Sequence, residues 1–296
     1  HAVDVSGRLD DSERRAYGLA ARKNPMTDGL IINGARVPVP GVEVVTWLDD
    51  PTRAPLVTDG HARDPSKVTG IVLHTSRGRR GTVRPGSFPS TRAETLARYQ
   101  SRTDRDVSWH LTVDTDGTVI QQADAATWMA WHAAHANGWS VGIECVQQPD
   151  SPDLYAVQVA ALVAVVEALC AALRIPRRTI VGADGHPYAG IVRALQERSE
   201  GGRQGSFAGV IGHRALTTRR GVGDPGDDVF AALLAAGFEG VPPPLEISAP
   251  HAARPTAPEW LDADEEHVDT ADLVTTPEAF VRDSLAHLAA LGVTGD

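Results

Sequence analysis

Cysteine is almost absent from this chain: Cys145 and Cys170 are the only two in 296 residues. That excludes a disulfide framework and a four-cysteine zinc site, and leaves open only one bridge between the two. Cys170 lies in an apolar stretch and reads as a small core residue. Long hydrophobic runs are lacking too. No uninterrupted run reaches the ~18 residues that span a bilayer. The longest candidate, Val157 to Leu173, is broken by Gln158 and Glu167 and reads as a helix with one buried face. Basic charge is in deficit, with 28 Lys and Arg against 38 Asp and Glu and a net charge of -10. This argues against a nucleic-acid partner, because neutralising phosphates takes clustered cations. For the same reason an anionic surface must be recognised by shaped pockets rather than by charge. No signal peptide is legible, and because the chain opens on His1 the compartment stays open. What remains is ordinary: 42% hydrophobic and 22% charged residues, enough for a full core in one or two soluble domains.

The chain divides into three parts. Residues 1–65 read as an N-terminal extension, a packing appendage or spacer. It has helix-forming composition at Asp10 to Lys23, turn signals at Asn24-Pro25 and Asp28-Gly29, and short β-like runs at Leu30–Ile32 and Val42–Trp47. Residues 66–240 alternate strand and helix signals as an α/β domain should. Strands are expected at Thr69 to Leu73, ending at His74, at Val141 to Val146, and at Val210 to Gly212 leading into His213. A hairpin is expected where Ser108 to Val113 and Thr118 to Gln122 flank Asp116-Gly117. Helices are expected at Arg92 to Tyr99, Tyr155 to Leu173 and Asp227 to Ala236, the last stopped by Gly237. Residues 183–207 break the rhythm as an insertion, with a helix at Gly190 to Arg198 followed by glycines. It reads either as a surface excursion or as a lid over a substrate. Residues 241–296 start with three prolines, continue in linker composition, and end on a helix from Thr276 to Leu291.

Most of the eleven histidines have no motif around them and read as structural, His61, His135, His186, His251, His267 and His287 among them. His74 and His213 differ, because each follows an apolar strand whose end opens where α/β proteins build sites. Asp224 follows within Gly223-Asp224-Pro225-Gly226, where turn chemistry directs the carboxylate. Two imidazoles and one carboxylate compose a three-ligand zinc set with a fourth position for water. Spacing alone does not single it out, since the two histidines are far apart in sequence. On strand alternation, Gly142 and Glu144 share a face opposite Val141 and Ile143, and an acidic residue there needs a partner. Trp109, Leu111 and Val113 share a face opposite His110, which makes Trp109 a core residue.

Five strings occur in a telling order. They are Ile71-Val72-Leu73-His74-Thr75; Ser108-Trp109-His110-Leu111-Thr112-Val113-Asp114 with Asp116-Gly117-Thr118; Ala130-Trp131-His132-Ala133 with Asn137; Ser140-Val141-Gly142-Ile143-Glu144; and Ile211-Gly212-His213-Arg214 with Asp224-Pro225-Gly226. In this the chain, over about residues 68–236, resembles the type 2 N-acetylmuramoyl-L-alanine amidases, the family that includes the peptidoglycan recognition proteins. The resemblance implies an α/β fold with a central mixed β-sheet flanked by helices and a zinc cleft along one side. It implies Zn2+ held by His74, His213 and Asp224, with Glu144 beside the metal handling protons. It implies peptidoglycan or muropeptides as partner, and a groove lined by His132, Asn137, Trp131 and His110. Many such amidases carry a lysine two residues before the carboxylate ligand. Here that position is Val222, and Arg219, with Arg220 beside it, is the candidate for the missing charge.

The expected reaction is hydrolysis of the amide between N-acetylmuramic acid and L-alanine. A non-catalytic peptidoglycan-binding module and a zinc peptidase cutting inside the stem peptide are the alternatives. The three filled ligand positions favour catalysis over the first. A secreted or periplasmic autolysin, a phage-delivered endolysin, an antibacterial effector and a recycling enzyme all fit this core. The oligomeric state is not legible.

Overall fold

The computed structural model describes residues 29–50, 61–76, 92–146, 153–220 and 224–244. The helices expected at Asp10 to Lys23 and Thr276 to Leu291, and position Val222, lie outside the described residues.

The strands are β1 (Leu30–Ile32), β2 (Ala35–Val37), β3 (Val44–Thr46), β4 (His61–Ala62), β5 (Gly70–Ser76), β6 (Leu111–Val113), β7 (Val119–Gln121), β8 (Trp128–Met129), β9 (Ser140–Val146), β10 (Arg178–Ile180), β11 (Gly209–Gly212) and β12 (Glu239–Val241). The helices are α1 (Arg92–Gln100), α2 (Ala156–Leu173) and α3 (Asp227–Ala235). Eight strands form one mixed sheet in the order β12-β10-β11-β5-β9-β6-β7-β3. All neighbours are parallel except β6 and β7, which pair antiparallel across the turn at Asp116-Gly117. The glycine there has φ +84, which suits a tight reversal. β1 pairs with β2, and β4 with β8, in two small antiparallel sheets.

β5 and β9 sit at the centre, paired over all seven residues of each. Both are covered on two faces, which is why they read as near-continuous apolar runs. β5 does not end at His74: it runs on to Ser76, because Thr75 and Ser76 still find Cys145 and Val146 across the ladder. On one face Ile71, Leu73, Leu111, Val113, Val141, Ile143 and Val210 pack against α2 and α3 through Leu162, Val165, Val166, Leu169, Val229, Phe230 and Leu233. α2 is long and apolar enough to cross a membrane, yet it sinks this face into the protein core. On the opposite face two separate apolar patches form. One joins α1 (Ala93, Leu96, Ala97) to Trp47, Trp109 and Ile120. The other joins Val72 and Ile211 to Val192, Leu195 and Phe207 of the 183–207 segment. Between these patches the sheet carries its polar residues.

Two expectations are corrected here. Trp109 is buried, but not beside Leu111 and Val113: it precedes the strand, and its indole packs under α1 while donating to Thr112 Oγ1 at 2.6 Å. Residues 190–198 are not an α-helix. Leu195 N and Gln196 N close a single turn on Val192 O, but the donors on either side go to distant carbonyls, Val192 N to Ala215 O at 2.9 Å and Glu197 N to Leu216 O at 3.1 Å. Gly205 N returns to Ala194 O, and only a short 3-10 turn, Arg198–Glu200, forms. The segment is an irregular ribbon with Val192, Leu195 and Phe207 turned inward.

The N-terminal residues 29–50 are built into this domain. β3 is an edge strand of the main sheet, Leu30, Ile32 and Val44 lie in its main core, and Gln121 exchanges two hydrogen bonds with the Ile31 backbone. Arg63 ties the following segment down more firmly. Its Nε donates to Ala126 O (3.1 Å), Nη1 to Asn137 O (3.1 Å) and Ser140 O (2.5 Å), and Nη2 to Ala125 O (2.6 Å). One guanidinium thereby pins both ends of the loop that carries His132.

Removing this group leaves four carbonyls in need of partners. Arg63→Ala is expected to lower unfolding free energy by at least about 3 kcal/mol in urea titrations. Arg63→Lys is expected to recover less than half, because an ammonium is a point donor without the guanidinium fork.

Candidate metal centre

Strand register builds the site. His74 of β5 lies opposite Glu144 of β9, and Glu144 opposite Thr112 of β6, so all three share a level and a face. Gly212 of β11 pairs with Leu73, which delivers the next residue, His213, beside His74. There the chain leaves the ladder in a 3-10 turn, His213–Ala215, and the two imidazoles meet with centroids 4.5 Å apart at 70°. Asp224 comes in from the loop before α3. Its Oδ1 accepts from Thr75 N at 2.7 Å, its backbone carbonyl accepts from Arg214 N at 3.2 Å, and its Oδ2 is 3.7 Å from His213 Nδ1. Gly212 makes this approach feasible, since a Cβ there would lie 3.0 Å from Asp224 O and 3.1 Å from Pro225 Cδ.

His74, His213 and Asp224 are all buried, and one donor atom from each lies within 4.8 Å of the others. Burial holds the His74 pKa well below its usual value, with smaller contributions from His213, His132 and Arg220. His74 is therefore neutral and has a lone pair to give. Asp224, anchored through one oxygen, turns the other toward His213. A buried nitrogen, nitrogen, oxygen donor set of this kind suits a zinc ion and leaves room for a further ligand.

Glu144 is half-buried on the same face. Burial pushes its carboxyl up to about 8, the Asp224 charge adds to the rise, and Arg220 opposes it. Of the two arginines, Arg219 is turned away: it is about half exposed, with Nε 3.7 Å from Glu200. Arg220 faces the centre, with Nε 3.8 Å from Asp224 Oδ2. Glu200 also accepts from Thr217 Oγ1, Thr218 N and Thr218 Oγ1, which clamps the 183–207 segment to the turn residues just before the loop that carries Asp224.

The loop residues take unequal places. His132 is buried with Nδ1 3.0 Å from His74 Nε2. Asn137 is buried, and its Oδ1 accepts from His132 N (2.9 Å) and Ala133 N (2.6 Å). His110 is fully buried; its Nδ1 accepts from Gly142 N at 3.0 Å, so its Nε2 donates to Trp128 O at 2.9 Å. With both ring nitrogens engaged, His110 holds the wall instead of facing a substrate. Trp131 is half-buried and meets His61 edge to face at 5.8 Å, while Trp139 packs in the second apolar patch. Arg63, Ser140 and Gly142 also shape the site, although the sequence assigned none of them a role in it. Only Gly142 carried a signal, since an isolated glycine inside a strand marks a close approach.

Residues 64–226 match the family described as N-acetylmuramoyl-L-alanine amidase. Among solved structures the chain is similar to a mutant endolysin from Bacillus subtilis, at 24% identity over 46% of this chain and 80% of that one, TM-score 0.35. It is also similar to an endolysin N-acetylmuramoyl-L-alanine amidase from Clostridium intestinale, at 17% identity over 46% and 77%, TM-score 0.32. A Drosophila peptidoglycan recognition protein, PGRP-SA, gives 14% identity over 43% and 72%, TM-score 0.33. No curated protein sequence matches the chain.

The raised Glu144 pKa has a thermodynamic signature in metal-free protein. Between its unfolded value near 4.5 and its folded value of about 8, the native state binds more protons than the unfolded state. That contribution to stability is present at low pH and is lost as pH rises through this window. Glu144→Gln removes it. The stability difference between Glu144→Gln and the parent is expected to grow in the variant's favour from pH 5 to pH 8, read by urea unfolding at each pH.

Proposed function

The chain belongs to the N-acetylmuramoyl-L-alanine amidase family, and from that premise we propose that it cuts the amide between N-acetylmuramic acid and L-alanine in peptidoglycan with a zinc ion held by His74, His213 and Asp224. The observation that carries the zinc reading is the convergence of these three buried side chains within 4.8 Å. A bound zinc ion supplies Lewis acidity, which makes water nucleophilic near neutral pH and polarises an amide carbonyl.

The protein groups around it have distinct tasks. Glu144, aligned with His74 across the β5–β9 ladder, takes the proton of the attacking water and passes it to the leaving nitrogen of L-alanine. In the metal-free site, burial and the Asp224 charge raise its affinity for a proton, which suits a group that must collect one and then release it. Arg220 rather than Arg219 provides the positive charge beside the reacting carbonyl, because it is the arginine that faces Asp224. Its fork replaces the lysine of related amidases from a different position in the loop. Trp131, half-buried beside His61, offers an indole face to sugar or peptide at the rim of the groove. Asn137 and His110 position this wall from within. The place of action is the bacterial cell wall or its fragments.

Digestion of purified peptidoglycan by zinc-loaded protein is expected to release stem peptides that begin with L-alanine, identified by mass spectrometry. Chelation should stop release and zinc should restore it, while Glu144→Ala should slow it at least ~100-fold. Peptides cut inside the stem would reassign the enzyme as a peptidase. Wall binding without release would make it a recognition module.

A further inference from the structure

The side chain against His74 is His132, and its surroundings dictate which of its nitrogens carries the proton. The Ser140 hydroxyl donates its only proton to Ala136 O at 2.6 Å. At its 3.4 Å contact with His132 Nε2, Ser140 Oγ therefore has to accept. His132 thus bears its proton on Nε2 and offers a lone pair from Nδ1, which lies 3.0 Å from His74 Nε2. For that contact to be a hydrogen bond, His74 Nε2 has to be the donor. A neutral imidazole holding a proton on Nε2 has its lone pair on Nδ1.

We propose that His132 is a positioning residue for the metal centre: the chain Ser140–His132–His74 selects the His74 tautomer and presents Nδ1 as its metal-binding nitrogen. The inference rests on the zinc reading above and moves His132 from the substrate groove to the outer shell of the metal. Metal-binding imidazoles are commonly oriented in this way by an acceptor on the other ring nitrogen, here supplied by a second histidine.

The fold has a bed for this ring. A Cβ on Gly142 would lie 2.5 Å from His132 Cγ and 2.8 Å from its Nδ1, so the imidazole rests on bare β9 backbone. Asn137 Oδ1 holds the His132 backbone, and Arg63 holds the Asn137 and Ser140 carbonyls. Backbone, ring plane and acceptor are each fixed by a separate contact, more than packing of a buried aromatic ring requires.

Two measurements test this on the full chain. The first is zinc affinity by chelator competition for parent, His132→Ala, His132→Asn and Gly142→Ala, with thermal unfolding of each metal-free protein. Alanine at 132 is expected to weaken zinc about 10–100-fold, and Gly142→Ala to weaken it by displacing the ring. Asparagine places an amide oxygen where Nδ1 was and should stay within about threefold of the parent. Parental affinity in His132→Ala overturns the proposal. Failure of the parent itself to bind zinc sinks the metal reading instead. The second measurement is the side-chain 15N spectrum of metal-free parent protein, which reads the tautomer even if a variant does not fold. A proton on His74 Nε2 supports the proposal; a proton on Nδ1 overturns it.

Discussion

Everything at the centre depends on the unbroken register between β5 and β9. Seven consecutive pairs, Gly70 with Ser140 through Ser76 with Val146, lock two buried strands whose alternate residues face a helical layer on one side and a polar row on the other. A slip by one residue would turn one strand over relative to the other, placing either His74 or Glu144 among aliphatic side chains. The apolar partners Ile71, Leu73, Val141 and Ile143 prevent this, because they fill the core against α2. The hydrophobic face thus supplies the constraint and the chemistry uses the residues left over. β11 extends the same logic, since its pairing with β5 sets where His213 emerges.

The polar row is costly to bury, and the pattern of perturbed acidities follows from how it is offset. His74 is kept neutral, while Glu144 is pushed upward by burial and by the neighbouring Asp224 charge. Arg220 is the cation that opposes this accumulation of carboxylates. A divalent ion would relieve it further, because it adds positive charge where two carboxyl groups converge. The site is thereby electrostatically unbalanced in the sense that favours a cation.

Three side chains outside that row determine its precision. Arg63 gathers the carbonyls of the 125–140 loop. Asp124 accepts from Asn33 N and Gly34 N, tying the β1–β2 turn to the same loop. Glu200 attaches the 183–207 ribbon to residues 217 and 218, just before the loop that carries Asp224. Each spans segments far apart in sequence, so the N-terminal residues and the irregular ribbon both act as struts for the cleft.

The local signals in the sequence carried well where one segment suffices. The β6–β7 turn at Asp116-Gly117, the glycine stop of α3 at Gly237, the apolar span of α2 and the pairing of an apolar strand with a following histidine are all written in short runs. The family resemblance added which histidines and which aspartate belong together. What failed to show was whatever depends on a partner from elsewhere. The 190–198 segment has helical composition, but carbonyls of residues 215 and 216 draw away the Val192 and Glu197 donors and limit it to one turn. Arg219 and Arg220 are adjacent and alike in sequence, and only Glu200 on one side and Asp224 on the other tell them apart. His132 read as a groove residue, and only the fold shows its ring lying on Gly142 with Nδ1 against His74. By itself the sequence determined periodicity, turns and the chemical type of each candidate ligand, because these are local properties of the chain. Tertiary structure alone decided which charge faces which, since that depends on distances between residues that covalent order leaves unspecified.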